Sequence, residues 1–408
     1  MIGLVLQGGG AKGGYHVGVW KALRELEIGI GAVTGTSVGA LNGALIAQGD
    51  FDKAYDLWYN MDPRLVIEED PEIYHQLVTR NYQIENSQMY LEYFRKIIKQ
   101  KGLGIEPLVQ LIDQVIDEDR LRDSEVDFGL VTISLTDWKA IETFVDDIEE
   151  GQVKDYLLAS AYLPAFKTQT IHGKRYLDGG FHDNMPINLM SQKGYSEIIA
   201  VELRAVGMIR PVKNKRVTIR TITPSGDTGS ILDFDRDISR KNLKMGYLDT
   251  MMSYGKYEGR SYYLRGVPEE DFFYQAVLAL TDQQIMAMAA IGGYKDGYPK
   301  RLLHEKIIPD ICEMIGLGLD HNYKDIMLGA LETIAASMEI ERLKVYAYTE
   351  LLAMVKEKCQ NTPKKTFDFE MIPDILRRRT LIKHNFKAEL LIRWMGISSS
   401  VYEPRQLD

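Results

Sequence analysis

Two glycine-rich stretches near the start of the chain decide the fold class: "LVLQGGGAKGG" at residues 4–14 and "VTGTSVGALNG" at residues 33–43. Each follows a short run of branched apolar residues, as in a buried β-strand, and each precedes a helical pattern. Glycines after a strand let backbone N–H groups approach negative charge closely, and a helix N-terminus adds partial positive charge. We therefore expect both stretches to meet at the carboxyl ends of neighbouring parallel strands.

Runs rich in Val, Ile and Leu alternate with helical patterns from residue 1 to about residue 265. This alternation predicts an α/β fold with a mostly parallel sheet and helices on both faces. From about residue 266 the strand-like runs stop and amphipathic helices take over, which predicts a smaller all-helical domain. The predicted organisation is an α/β domain over residues 1–265 and a helical C-terminal domain over residues 266–408.

Composition excludes several classes of function. The chain has 408 residues and a net charge of −9, which argues against a nucleic-acid partner. Its two cysteines, Cys312 and Cys359, lie outside any metal-binding motif, so we expect neither a disulfide framework nor a metal site. We find no signal peptide and no apolar run of the ~18 residues that cross a bilayer. These features predict a cytoplasmic, soluble protein.

The first glycine stretch allows more than one interpretation. Gly8, Gly10 and Gly13 match the G-x-G-x-x-G pattern of dinucleotide-binding folds. That fold also needs an acidic residue at the end of the second strand, but this strand ends in Thr36 and Ser37. A P-loop is excluded, because the lysine of the stretch is not followed by serine or threonine.

The second glycine stretch contains a nucleophile elbow. "GTSVG" matches G-x-S-x-G, in which Gly35 and Gly39 permit the strained strand-to-helix turn that exposes the hydroxyl of Ser37. A serine that attacks an acyl group needs N–H donors aimed at the oxyanion that forms. The first stretch can supply them, and the candidate oxyanion-hole residues are Gly8, Gly9, Gly10, Ala11, Lys12 and Gly13.

The residue that accepts the serine proton is less evident from the sequence. His16 begins the first helix and could approach the site, although packing is the commoner role for such a residue. His172 and His182 are typical of surface positions beside turns. Asp178, at the end of a strand and before two glycines, is either an ordinary Asp-Gly turn or the partner of Ser37.

The motifs taken together resemble those of the patatin-like phospholipase family. The resemblance is carried by "GGGAKG", "GTSVG" and "DGG" in that order, with "ASAYLPAFK" at 159–167 and "NMP" at 184–186 on either side of the last. It covers residues 1 to about 265, and the helical C-terminal region is not part of it. One departure is Lys12, where this family usually has arginine.

This resemblance implies a patatin-like three-layer α/β/α fold and a Ser-Asp dyad without histidine. In it, Ser37 is the nucleophile, Asp178 is its only catalytic partner, and the Gly8–Gly13 loop is the oxyanion hole. The implied substrates are phospholipids, lysophospholipids or other acyl-ester lipids, hydrolysed through an acyl-serine intermediate with no cofactor and no metal. The alternative function is a non-catalytic lipid-binding or interaction module with a vestigial site.

Two further segments suggest contact with lipid. Residues 54–98 are rich in aromatic side chains and could form a cap over a cleft, although ordinary core packing is the commoner reading. Residues 364–393 combine eight Lys or Arg with apolar side chains at near-helical spacing. That segment could lie on an anionic membrane, whereas a packed helix with a solvated basic face is the commoner case. The short stretch 361–367 is the best candidate for a linker.

Overall fold

The computed structural model describes residues 1–68, 103–164, 166–167, 170–294, 296–318 and 320–361. The chain divides into two compact units, residues 1–253 and residues 254–408. The domain boundary predicted at residue 265 lies near this division and stays a prediction. Most of the aromatic-rich segment 54–98, nearly all of the linker 361–367 and the whole basic segment 364–393 lie outside the described residues.

The first unit alternates strands and helices, as the sequence pattern predicts. Its elements are β1 (Ile2–Leu6), α1 (Gly14–Glu25), β2 (Ile30–Thr36), α2 (Val38–Ala47), α3 (Phe51–Tyr59), α4 (Glu106–Val115), α5 (Glu118–Arg122), β3 (Asp127–Ser134), β4 (Lys139–Phe144), α6 (Val153–Ser160), β5 (Tyr176–Asp178), α7 (Ile187–Gln192), β6 (Glu197–Val201), β7 (Thr218–Ile222) and α8 (Arg236–Ser253). In none of the described helices is there a stretch long and apolar enough to cross a membrane.

One mixed sheet organises this unit, with strand order β4-β3-β2-β1-β6-β7 and with β5 paired to β3. Strands β1, β2, β3, β6 and β7 are parallel to one another, while β4 and β5 run antiparallel to β3. The prediction of a mostly parallel α/β sheet is confirmed. The carboxyl ends of β1 and β2 therefore lie at the same edge, where both glycine stretches begin.

Helices cover both faces of the sheet, because its central strands are apolar on both sides. In β2, Ala32 belongs to a buried cluster with Met190 of α7. The next residue, Val33, points to the opposite face and packs under α2 at Gly43. Successive side chains of a strand point to opposite faces, so a strand buried on both needs apolar residues throughout.

The pairing of β3 explains how residues distant in sequence come together. Along one side of β3, β2 pairs as far as Thr36 opposite Val131, and β5 takes over at the next residue, with Asp178 opposite Thr132. Strand β5 thus continues the line of β2 beyond its end. Asp178 is placed next to the turn that follows β2.

The second unit is mainly helical, which confirms the predicted helical character of the C-terminal region. It contains β8 (Tyr263–Arg265), α9 (Glu270–Leu278), α10 (Asp282–Ile291), α11 (Pro299–Leu302), a π-helical turn (Leu303–Ile307), α12 (Ile308–Met314), α13 (Tyr323–Ser337), β9 (Val345–Ala347) and α14 (Tyr348–Asn361). The parallel pair β8–β9 is an addition to the prediction. Each of these strands has three residues, too few to show a period in the sequence.

Candidate active site

Ser37 occupies a sharp turn between β2 and α2. Its φ of 56° and ψ of −126° are values that a non-glycine residue rarely adopts, so the turn stores backbone strain. The turn also requires close backbone approach, because a Cβ atom at Gly35 would lie 2.2 Å from the Gly39 carbonyl oxygen. A Cβ atom at Gly39 would lie 2.3 Å from the carbonyl oxygen of Leu6. Only glycine fits at these two positions, which accounts for the G-x-S-x-G pattern.

A second serine, Ser160, holds this turn in place. The Ser37 backbone N–H donates a hydrogen bond to Ser160 Oγ at 3.0 Å, and the Ser160 hydroxyl donates to the Val131 carbonyl oxygen at 2.7 Å. Ser160 is fully buried, so water does not replace either bond. The sequence alone does not predict this role of Ser160. Ser160 stands in "ASAYLPAFK" as an ordinary serine, and its hydrogen bond with the Ser37 amide is visible only in the folded chain.

Asp178 is buried beside the turn, with 3% of its surface exposed. Its Oδ1 accepts a hydrogen bond from the Gly180 N–H at 2.7 Å, whereas its Oδ2 has no hydrogen-bond partner among the described residues. Burial raises the pKa of Asp178 to about 6, and the nearby Ser37 hydroxyl and the Gly180 amide oppose part of that rise. A carboxylate with this pKa is a stronger base than an exposed aspartate.

The first glycine stretch forms a loop and a 3-10 turn in front of α1. The backbone N–H groups of Gly8, Ala11 and Lys12 donate to carbonyl oxygens at 3.2, 2.9 and 3.3 Å. Those of Gly9 and Gly10 have no hydrogen-bond partner within the described part of the chain. Unpaired amides beside a cavity are the donors that an oxyanion hole needs.

The other candidate residues of this loop serve the fold. The Lys12 side chain is buried, its Nζ donates to the Leu203 carbonyl oxygen at 3.5 Å, and burial lowers its pKa. The carbonyl oxygen of Gly13 accepts a hydrogen bond at 2.9 Å from the Asn42 side chain on α2. Ala11, Lys12 and Gly13 do not line the cavities described next.

Two cavities meet at Ser37. The larger one has a volume of about 380 Å³ and contains Asp178 together with Gly8, Gly9 and Gly10. The smaller one, of about 70 Å³, is lined almost entirely by apolar side chains of α2, α3, α4 and their neighbours. Ser37, Gly10 and Leu163 line both. An ester bound at Ser37 could therefore place an apolar group in one cavity and a polar group in the other.

No histidine of the described residues lines either cavity. His16 is fully buried, and burial lowers its pKa to about 3, so it remains neutral. His172 lies 2.6 Å from Asp155, and His182 lies 2.9 Å from Glu142. Within the described ranges, no group of three or more His, Cys, Asp or Glu side chains could hold a metal ion. Among the described residues that line the two cavities, Asp178 is the charged or titratable side chain beside Ser37.

The fold and the site define a class of protein: a three-layer α/β domain with a serine elbow and a buried carboxylate at the carboxyl edge of its sheet. Residues 4–190 match the family model described as patatin-like phospholipase. Residues 4–190 are therefore similar to a patatin-like phospholipase domain.

Curated relatives share this part of the chain. A protein named lysophospholipase NTE1 from Mycosarcoma maydis is 25% identical over 52% of this chain and 10% of its own length. A patatin-like phospholipase domain-containing protein from Caenorhabditis elegans is 28% identical over 59% of this chain and 17% of its own. The chain therefore spans less than a fifth of the length of these relatives. Among solved structures, VipD from Legionella pneumophila aligns over 98% of this chain and 92% of that chain, with 14% identity and a TM-score of 0.36.

Proposed function

We propose that this protein is a lipid acyl hydrolase of the phospholipase A or lysophospholipase type, which cleaves fatty-acyl esters through an acyl-serine intermediate. The observation that carries the proposal is the position of Ser37 at the junction of an apolar cavity and a cavity that contains Asp178. The match of residues 4–190 to patatin-like phospholipases supports it.

In the proposed mechanism, Ser37 Oγ attacks the ester carbonyl carbon while its proton passes to Asp178 Oδ2. The oxyanion that forms accepts hydrogen bonds from the amides of Gly9 and Gly10. The tetrahedral intermediate then collapses, the C–O bond to the alcohol breaks, and Asp178 returns the proton to the leaving alcohol. Water next attacks the acyl-serine and gives its proton to Asp178, which passes it back to Ser37 as the fatty acid leaves. No cofactor and no metal enters these steps.

The substrate class follows from the two cavities. The apolar lining of the smaller cavity suits the part of an acyl chain next to the ester, because burying each CH₂ group contributes about 0.8 kcal/mol. The glycerol and headgroup part of a phospholipid or lysophospholipid would occupy the larger cavity beside Asp178. The name lysophospholipase, given to relatives that share this domain, agrees with this assignment.

A non-catalytic lipid-binding module is the alternative, and the site favours the enzyme. A strained Ser37, unpaired amides at Gly9 and Gly10 and a buried Asp178 carboxylate each cost stability. A binding module has no use for this combination, whereas acyl transfer uses every part of it. We also propose a cytoplasmic location, for which the free, buried thiol of Cys312 is the supporting observation.

The test is labelling with a serine-reactive fluorophosphonate, followed by assay of lipid hydrolysis. We expect stoichiometric labelling at Ser37 and release of free fatty acid from lysophosphatidylcholine, identified by mass. Ser37→Ala should abolish both, while Ser191→Ala, which removes a hydroxyl from α7, should change neither by more than about twofold. Labelling that persists in Ser37→Ala would assign the reaction to a different residue. Labelling without hydrolysis of any acyl lipid would favour the binding module.

A further inference from the structure

Exposed apolar side chains surround the mouth of the larger cavity. Val206, Met208 and Phe181 line that cavity, and yet they are 46%, 55% and 38% exposed. Ile209, the next residue along the chain, is 50% exposed. Large apolar side chains that cluster at one place on a surface mark a contact with a partner. We call residues 203–217, which follow β6, the rim loop.

The rim loop is held in this conformation by its backbone. The Met208 N–H donates to the Gly180 carbonyl oxygen at 2.9 Å, and the Met208 carbonyl oxygen accepts from the Asn184 N–H at 2.6 Å. Farther along, the Lys213 N–H donates to Asn188 Oδ1 at 2.9 Å. Because the turn after β5 and the start of α7 fasten the loop, its apolar side chains are presented outward by ordered structure.

The rim loop is also strongly basic. It contains five cationic residues and no acidic one, in a chain whose net charge is −9. None of the five forms an ion pair with another described residue: Arg204, Arg210, Lys213, Lys215 and Arg216. All except the partly buried Arg210 are exposed. Positive charge without protein partners, beside exposed apolar side chains, is complementary to a surface that is anionic and has an apolar interior.

We propose that the rim loop docks this protein on the surface of an anionic lipid bilayer, with the basic side chains among the headgroups and Met208 and Ile209 inserted below them. Docking in this way places the mouth of the larger cavity against the bilayer. A lipid then reaches Ser37 without crossing bulk water. This inference rests on the proposed function, because delivery of a lipid to Ser37 matters only for a lipid hydrolase. Bilayer binding is nevertheless measured separately from catalysis.

The experiment measures co-sedimentation of the full chain carrying Ser37→Ala, so that no lipid is consumed, with two kinds of vesicle. We expect binding to phosphatidylcholine mixed with phosphatidylserine, much weaker binding to phosphatidylcholine alone, and loss of binding at high salt. Adding Lys213→Gln and Lys215→Gln should lower the partition coefficient about 10- to 30-fold, since each cation near such a surface contributes about fivefold. Ile209→Ser should lower it severalfold.

Matched control variants remove positive charges and an exposed apolar side chain from parts of the surface outside the rim loop. Lys241→Gln with Lys306→Gln removes two exposed charges, and Leu278→Ser removes an apolar side chain that is 46% exposed. Both controls should bind vesicles within about twofold of the parent. With Ser37 restored, the Lys213/Lys215 variant should hydrolyse a soluble short-chain ester at the parent rate, since neither lysine lines a cavity.

Three outcomes would overturn the proposal: no binding of the parent to anionic vesicles, binding that salt does not weaken, or equal losses in the rim-loop variants and their controls. The first of these would favour an acidic protein as the partner of the loop. Failure of the proposed function gives a different result, since a chain that binds vesicles normally would then hydrolyse no ester.

Discussion

At the scale of single residues, the proposed mechanism makes the pH dependence of activity follow from the burial of Asp178. Asp178 accepts a proton only when it is ionised, and its pKa is raised to about 6. We therefore expect kcat/KM for a soluble ester to rise about tenfold per pH unit below about pH 6 and to level off above it. A pH-rate profile from pH 4 to 9 measures this.

Asp183 is the control for that assignment, because burial raises its pKa to about 6 as well. Its Oδ1 accepts hydrogen bonds from the backbone amides of Met185 and Arg210, an arrangement that asparagine can retain. Asp183→Asn should therefore keep the rise near pH 6. If kcat/KM of Asp183→Asn no longer rises near pH 6, the group that titrates is Asp183 and not Asp178.

Ser160 gives a second prediction at this scale. Ser160→Ala removes the acceptor of the Ser37 amide, and a small displacement of a nucleophile can cost about 10²-fold in rate. We expect kcat to fall about 10- to 100-fold while KM changes less than about threefold. Fluorophosphonate labelling should slow by the same factor.

Rescue separates positioning by Ser160 from a general loss of stability. Ser160→Thr retains a hydroxyl and should recover part of the labelling rate. A Ser160→Ala protein that unfolds more easily but labels at the parent rate would show that Ser160 serves the fold alone.

Among these residues, the sequence predicts the ones that a local pattern demands. Ser37, Gly35 and Gly39 follow from the geometry of one turn, so the five-residue pattern G-x-S-x-G is sufficient to predict them. Asp178 was ambiguous in isolation, because Asp-Gly is also an ordinary turn, and the nucleophile elbow together with the family resemblance favoured it as the partner of Ser37. Ser160 was missed, since its role depends on a contact across 123 residues of chain.

At the scale of elements, helices α2, α3 and α4 line the apolar cavity to which the proposed function assigns the acyl chain. Leu111 of α4 lines the apolar cavity and is only partly buried, so a larger side chain can enter there without disrupting the core. Leu111→Phe should lower kcat/KM for long-chain nitrophenyl esters about tenfold or more and leave acetate or butyrate esters within about threefold. A series of esters of increasing chain length measures this.

Gln114→Phe is the matched control, because Gln114 is exposed on the same helix and does not line the cavity. It should leave the chain-length profile unchanged. If Leu111→Phe lowers kcat/KM equally for short and long esters, the acyl chain does not bind in this cavity.

Helices and strands were predictable where the pattern of apolar residues extends over a long stretch of sequence. The alternation of strands and helices up to α8 and the helical patterns after it each extend over many residues. Strands β8 and β9 were not predictable, because three residues show no period and their pairing joins segments about 80 residues apart. The continuation of β2 by β5 is likewise a matter of register, which only the folded chain shows.

At the scale of the whole molecule, the first unit supplies all the described residues that line the two cavities. These residues lie between residues 1 and 253. We expect a chain ending at Ser253 to fold and to label with fluorophosphonate within about fivefold of the full-length rate. Circular dichroism and labelling kinetics test this. A folded truncated chain that does not label would mean that the second unit completes the site.

The position of β5 in the chain also matters during synthesis on the ribosome. About 140 residues separate Ser37 from Asp178, and synthesis of that length takes roughly 7–28 s at 5–20 residues per second. Throughout this interval Ser37 lacks its proposed general base, because β5 has not yet paired with β3 beyond the end of β2. By the proposed mechanism, a nascent chain therefore cannot hydrolyse lipids before Asp178 has been synthesised and β5 has paired with β3.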